Sequence, residues 1–213
     1  MKLAIIGSSG LTGTEVTRSA LTESDVTKLI LISRKTSALS DAKIEEVILK
    51  PFSKDKIVNL NINADIFICC LGTTIKKAGN KEDFYKVDHD FILAFTKLAK
   101  KQNAKACFVI SARGANKNSK IFYNRIKGET EEAMRKLALD SLYILRPSLL
   151  IGDRQEPRLV ESIGMFLVKA LQPVLSENLR KTISTPTSNI ADYILLHAKA
   201  PKPGVHIVES TEI

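Results

Sequence analysis

The chain has 213 residues, 44% hydrophobic and 26% charged, with no tryptophan and a formal net charge of +9. That length supports one full core, and a mean hydropathy near zero excludes a disordered chain and a membrane-embedded one. No apolar run reaches the ~18–20 residues that cross a bilayer, and the short N-terminal run is not a secretory signal, so the expectation is a cytoplasmic protein with no membrane partner.

The 32 basic residues are spread along the chain in groups no larger than Lys76-Lys77 or Lys100-Lys101. No basic run is interleaved with aromatics, so nucleic acid is not an expected partner. A dispersed positive surface is compatible with a phosphorylated cofactor.

The first apolar run, Leu3 to Ile6, is a strand signal that feeds Gly7-Ser-Ser-Gly-Leu-Thr-Gly13. A helical pattern follows, with Leu11, Val16, Ala20 and Leu21 inward. Strand, glycine turn and helix N-terminus in that order make an anion site, because backbone N–H groups and the helix dipole face the phosphate. The spacing is GxxGxxG, not the usual GxGxxG of dinucleotide folds.

Thr27 to Ser33 reads as a second buried strand and Ile44 to Leu49 as a third. At the end of the second lies Ser33-Arg34-Lys35, where an NAD-preferring site carries a carboxylate for the ribose hydroxyls. A guanidinium there binds a 2′-phosphate and stacks on adenine, so Arg34 and Lys35 predict NADP(H).

Asp65 to Leu71 is the fourth strand, closed by a turn at Gly72. A helix is predicted from about Asp83 to Lys101, with Phe84, Val87, Phe91, Phe95 and Leu98 on one face. Lys105 to Ile110 is the fifth strand, followed by a helix from about Ser119 to Leu139. The sixth strand, Leu142 to Leu145, stops at Pro147. Beyond it, residues 152–213 offer a loop, a helix near Leu159 to Leu171, a strand near Lys181 to Ser184, a helix near Ser188 to Ala200 and a strand near Val205 to Val208.

Strands apolar on both faces and separated by helices indicate a doubly wound, mainly parallel α/β sheet covered on both sides. The whole chain, 1–213, reads as a single Rossmann domain, with 152–213 shaping the substrate side. Cys69, Cys70 and Cys107 read as small buried strand residues. His89, His197 and His206 are not spaced as metal ligands, and no metal is expected. Asp153, Arg154, Glu156, Arg158 and Glu161 form a charged patch that suits either a substrate mouth or an internal salt-bridge network.

The catalytic candidates lie around the fifth strand. Tyr123 and Lys127 are four apart, on one helix face. A phenol with an ordinary pKa near 10 works as an acid at neutral pH only if its anion is stabilised by about 4 kcal/mol, which a cation in a poorly solvated cleft supplies. Ser111, at the strand's carboxyl end, is the candidate anchor for a substrate carbonyl.

Taken together, Gly7 to Gly13, Cys70-Leu-Gly-Thr-Thr74 with Lys77-Ala-Gly79, Val87-Asp88, Ser111 to Asn116, Tyr123 to Glu129, Arg146-Pro147 and Gly152 to Glu156 with Arg158 resemble an atypical short-chain dehydrogenase/reductase. The resemblance spans residues 1 to about 160. It implies an NADP(H)-binding oxidoreductase with a Ser111–Tyr123–Lys127 site acting on a carbonyl or alcohol. Ser9, Gly10, Leu11, Thr12 and Gly13 would line the pyrophosphate, Cys70, Leu71, Gly72 and Thr73 would run along the cofactor, and Pro147 and Ser148 would flank the nicotinamide. The alternative is a cofactor-sensing protein that acts through a protein partner, against which the retained Ser, Tyr and Lys favour the enzyme. Two positions depart from the family: Lys50-Pro51-Phe52 stands where an acidic residue is common, and Asp88-His89 where an active-site Asn is common.

Overall fold

The computed structural model describes residues 1–152 and 183–213. Seven parallel strands form the sheet: β1 (Lys2–Ile6), β2 (Lys28–Ser33), β3 (Ile44–Ile48), β4 (Ile66–Cys69), β5 (Ala106–Ile110), β6 (Ser141–Arg146) and, last in the chain, Gly204–Glu209. That last strand is β9, because Leu149–Ile151 (β7) and Ser184–Pro186 (β8) pair in a separate two-stranded sheet. The order is β3-β2-β1-β4-β5-β6-β9. The reversal of direction in that order falls between β1 and β4, which is where ligands enter an open parallel sheet.

Alternate residues of each strand feed opposite faces, as the two-residue period requires. Ala4 and Ile6 join Ile30, Phe67, Phe95 and Val109 in one core, whereas Leu3 and Ile5 join Leu31, Ile68, Phe108 and Ile194 in the other. The first core is covered by helices α2 (Lys54–Val58) and α5 (Ile92–Lys101). The second is covered by α1 (Leu11–Thr22) and α7 (Thr187–Lys199).

The single helix predicted over Asp83–Lys101 is three segments in the structure. Asn80 caps α4 (Lys81–Tyr85), its side chain accepting the Asp83 N–H at 2.7 Å. A π-helical turn, Lys86–Phe91, follows, and then α5. π-Turns widen the hydrogen-bond ladder and recur at functional sites; here the Asp88 carbonyl lies 2.9 Å from the Thr130 hydroxyl of the neighbouring helix. That helix, α6 (Phe122–Arg135), is shorter at both ends than its apolar pattern suggests. At its far end Ala138 takes φ +49°, a left-handed position that no helix continues through.

The fourth strand ends at Cys69, two residues early; Cys70 still donates its N–H to Ile6 O at 2.9 Å, and its carbonyl and Leu71 N lie against Gly7 of the glycine turn. Short α3 (Ile75–Ala78), capped by Thr74, follows that turn. The strand expected near Lys181 to Ser184 is described only from Ser184, where β8 begins. The helix expected near Leu159 to Leu171 and the Asp153–Glu161 patch lie outside the described residues. Among the described residues, no helix is long and apolar enough to cross a membrane.

Candidate functional site

Two turns meet at the carboxyl ends of β1 and β4. Gly7 has φ +84°, and a Cβ there would stand 2.7 Å from the Cys70 carbonyl carbon and 2.9 Å from Leu71 N. A Cβ on Gly13 would run into the Gly7 carbonyl oxygen and lie 2.8 Å from Ser8 Cα. Only glycine fits at either position. Gly10 N–H donates to Gly7 O at 3.1 Å, and Gly10 is the N-cap of α1 with no side-chain cap bond. The first N–H groups of α1, on Leu11, Thr12 and Gly13, therefore lack intrahelical acceptors. Ser9 and Gly10 are exposed beside them. The cradle, closed to a Cβ at Gly7 and Gly13 yet open at the helix tip, fits a dinucleotide pyrophosphate.

Arg34 and Lys35 are exposed just past the end of β2, next to β1 in the sheet. Among the described residues no ion pair engages either side chain. Phe52 packs edge-on against Phe91, ring centroids 5.3 Å apart, on the same side of the sheet.

The second half of the site lies across the β4 turn. Lys127 is buried in α6, with its ammonium 2.8 Å from Asp88 Oδ1 in an ion pair whose side chains are 5% and 0% exposed. The other Asp88 oxygen accepts the Thr73 N–H at 2.8 Å. A Cβ on Gly72 would lie 3.6 Å from Asp88 Oδ1 and 3.9 Å from Lys127 Nζ. Thus the pair sits directly behind the Cys70–Thr73 turn. Burial pushes the Lys127 ammonium toward deprotonation, but Asp88 foremost, then Tyr123, hold its pKa above the ordinary lysine value. Tyr123, one helical turn away, is half-buried, with its ring 5.8 Å from that of Phe84.

Ser111 lines the same seam beneath α6 as Lys127, but its hydroxyl is engaged there. Its hydroxyl donates to Glu131 Oε1 at 2.5 Å. Glu131 also receives Arg146 at both oxygens, 3.1 Å from Nε and 2.6 Å from Nη2, and Arg146 Nη1 donates to Glu209 at 2.9 Å. Hydrogen bonds to Glu131, against the cost of burial, hold the Arg146 pKa above its ordinary value. Glu131 lies two turns beyond Tyr123, roughly 12 Å along the helix axis. The structure joins Tyr123, Lys127 and the two turns in one site and puts the Ser111 proton into a buried network at the ends of β5, β6 and β9.

Pro147 is buried, its carbonyl accepting the Arg113 N–H at 3.0 Å. Ser148 is tied to Thr185 of β8 through its N–H at 3.1 Å and its hydroxyl at 2.9 Å. Cys69 and Cys107 are sealed in their strands, whereas Cys70, expected as a buried strand residue, lies past the end of β4 and is only partly buried; burial pushes the Cys69 thiol up to about 12 and holds Cys70 and Cys107 above the ordinary range. Neither Asp88 as the partner of Lys127 nor Glu131 as the partner of Ser111 was assigned from the sequence. The available signal was spacing: Tyr123, Lys127 and Glu131 fall four apart on one helix face.

The fold is one that solved short-chain dehydrogenase structures share. A short-chain dehydrogenase family protein from Francisella tularensis superposes with a TM-score of 0.66 at 14% identity, covering 99% of this chain and 98% of that one. MoeE5, solved with UDP-glucose and NAD, superposes with a TM-score of 0.74 at 12% identity over 98% of this chain and 75% of that one. No family model matches the chain. Relatives in sequence place it more narrowly. It is 36% identical over 180 residues to the fmp52 protein of Emericella nidulans, covering 82% of this chain and 77% of the relative. It is 31% identical over 203 residues to HTATIP2 of Rattus norvegicus, covering 94% and 82%. The chain belongs to the family of the FMP52 and HTATIP2 proteins.

The expectation of a cytoplasmic protein is corrected by the same relatives. The matching proteins of Emericella nidulans, Eremothecium gossypii and Candida albicans are all named as mitochondrial. The lack of a long apolar segment bears on membrane crossing and carries no information about the compartment of a folded domain.

Proposed function

We propose that the protein is an NADP(H)-dependent oxidoreductase acting on a carbonyl or alcohol. The observation that carries this is the buried Lys127 ammonium, one turn from Tyr123 and backed against the Cys70–Thr73 turn, beside a glycine cradle that admits no Cβ at Gly7 or Gly13. The N–H groups from Leu11 to Gly13 would receive the pyrophosphate, and Arg34 and Lys35 a 2′-phosphate. Cys70 to Thr73 would run along the dinucleotide, with Pro147 and Ser148 beside the nicotinamide. Bound there, the nicotinamide supplies or accepts a hydride.

The chain's own residues handle the proton. Tyr123 gives its hydroxyl proton to the carbonyl oxygen in reduction and takes it back in oxidation. The Lys127 ammonium stabilises the phenolate left behind, in a site with little water to screen it. Ser111 is the expected carbonyl anchor, and to act so its hydroxyl must leave Glu131. The test is a carbonyl screen with NADPH: Tyr123→Phe should reduce turnover at least about a hundredfold, and an unchanged rate would refute the proton role. Arg34→Glu should reverse a preference for NADPH over NADH; equal binding of both by the parent would refute the NADP(H) assignment.

A second reading is favoured by Ser111 being engaged with Glu131: a cofactor-sensing protein that acts through a protein partner. It predicts a partner captured only when NADPH is present, and no carbonyl in the screen that oxidises NADPH.

A further inference from the structure

Asp88 is a fully buried acid at the site, and it is held from three directions. Its Oδ2 accepts the Thr73 N–H, its backbone carbonyl meets the Thr130 hydroxyl, and its Oδ1 faces Lys127 at 2.8 Å. Oδ1 has no aligned hydrogen bond among the described residues, so its contact with the ammonium is an ion pair. The π-helical turn carries Asp88 to this position.

We propose that Asp88 is the positioning residue of the Tyr123–Lys127 site, holding the Lys127 side chain in place and tying it to the Cys70–Thr73 turn that the cofactor follows. This rests on the oxidoreductase reading for its consequence in cofactor binding, though not for its effect on Lys127. A buried ammonium with no counter-charge sheds its proton; a buried carboxylate at contact keeps it. The carboxylate also makes the lysine half of a neutral pair, so that ordering the lysine does not leave a net charge in a dry cleft. The titratable groups facing the pair are Tyr123 on α6 and Cys69 on β4. Glu131, a turn further along α6, lines the same seam beneath the helix and is already bridged to Arg146. None of these supplies the negative charge that Asp88 does.

Asp88→Asn isolates the charge, because an amide oxygen can still accept the Thr73 N–H. NADPH affinity is measured by cofactor fluorescence from about pH 6 to about pH 9, a range in which unsubstituted lysine stays charged. The parent should vary by less than about threefold, whereas Asp88→Asn should lose at least about tenfold as the unpaired Lys127 deprotonates. Asp88→Glu, which restores the charge, should flatten the profile again. A profile for folded Asp88→Asn that overlays the parent's would overturn the proposal.

The titration of Lys127 itself, followed by NMR of its labelled side chain and assigned with Lys127→Met, separates the two readings. If the parent binds no NADPH, the oxidoreductase reading fails, and the lysine titration still decides the role of Asp88. Lys127 should lose its proton well below its ordinary range in Asp88→Asn, and a lysine still charged at about pH 9 would overturn the proposal. If Asp88→Asn does not fold, the double variant Asp88→Asn/Lys127→Met should melt above either single variant, since removing both charges is tolerated better than removing one. A double variant no more stable than the singles would overturn the pairing.

Discussion

Gly13→Ala sets two effects of opposite sign against each other. Within a helix, alanine in place of glycine stabilises by roughly 0.5–1 kcal/mol. Gly13 is the third residue of α1, so on propensity alone the substitution should help. The structure says otherwise: the new Cβ would run into the Gly7 carbonyl oxygen and stand 2.8 Å from both the Gly7 carbonyl carbon and Ser8 Cα. These are backbone atoms of a turn already committed to φ +84° at Gly7, so relief requires the turn to move. Overpacking of this kind costs about 1–3 kcal/mol, and the net should be a loss of roughly 1–2 kcal/mol in urea unfolding. Moving the turn also misplaces the helix-tip N–H groups, so NADPH affinity should fall at least about tenfold, or about 1.4 kcal/mol. Gly10→Ala is the internal control. Its Cβ would meet the Gly7 oxygen at 3.3 Å and the Cys70 oxygen at 4.0 Å, in an extended conformation that alanine accepts, so its unfolding free energy should shift by under about 1 kcal/mol. If Gly13→Ala is as stable as the parent, or no worse than Gly10→Ala, the close approach of helix and turn is not what the glycine serves.

Three further outcomes are expected. Glu131→Ala should destabilise by about 2 kcal/mol, because it leaves the Arg146 guanidinium with Glu209 as its remaining carboxylate and the Ser111 hydroxyl without its acceptor; thermal or urea unfolding checks this, and a loss under about 0.5 kcal/mol would show that water replaces the carboxylate. Stability should hold through neutral and mildly alkaline pH and fall above about pH 10.5: Lys127 is raised from 10.5, so its contribution is complete below the unfolded value and is lost as pH rises through the folded one. The alkaline limb should move to lower pH in Asp88→Asn. Finally, Cys69 and Cys107 should resist a thiol reagent in the native protein at about pH 8 and react once it is unfolded, as expected for thiols that burial keeps protonated.

Much of the fold is legible in local pattern. Continuous apolar runs such as Leu29–Ile32 mark strands covered on both faces, and every strand proposed up to the sixth is present within about two residues of its expected ends. The glycine turn was readable as a pattern: Gly13 is required by Gly7 and Ser8 beside it and Gly7 by its φ of +84°, although the backbone that Gly7 approaches is that of Cys70 and Leu71, far along the chain. Errors fall where a tertiary partner changes a local outcome. The helix over Asp83–Lys101 has unbroken amphipathic spacing, yet it widens into a π-turn where Asp88 meets Lys127 and Thr130. Ser111 sits at the strand end that its sequence position suggested, but the direction of its hydroxyl depends on Glu131, twenty residues away.

By itself, then, the sequence determined the alternation of strands and helices, the glycine spacing of the Gly7–Gly13 turn, and the shared face of Tyr123 and Lys127, because each depends on neighbours within a few residues and on backbone periodicity. Tertiary structure alone decided the order of the strands, the place of Gly204–Glu209 at the edge beside β6, and the partners of the buried charges. Ion pairs such as Lys127–Asp88 and Arg146–Glu209 join residues far apart in the chain. A charged side chain shows the same identity in sequence whether it meets water or a counter-ion. Only burial, which the packed sheet and helices impose, makes that choice a requirement.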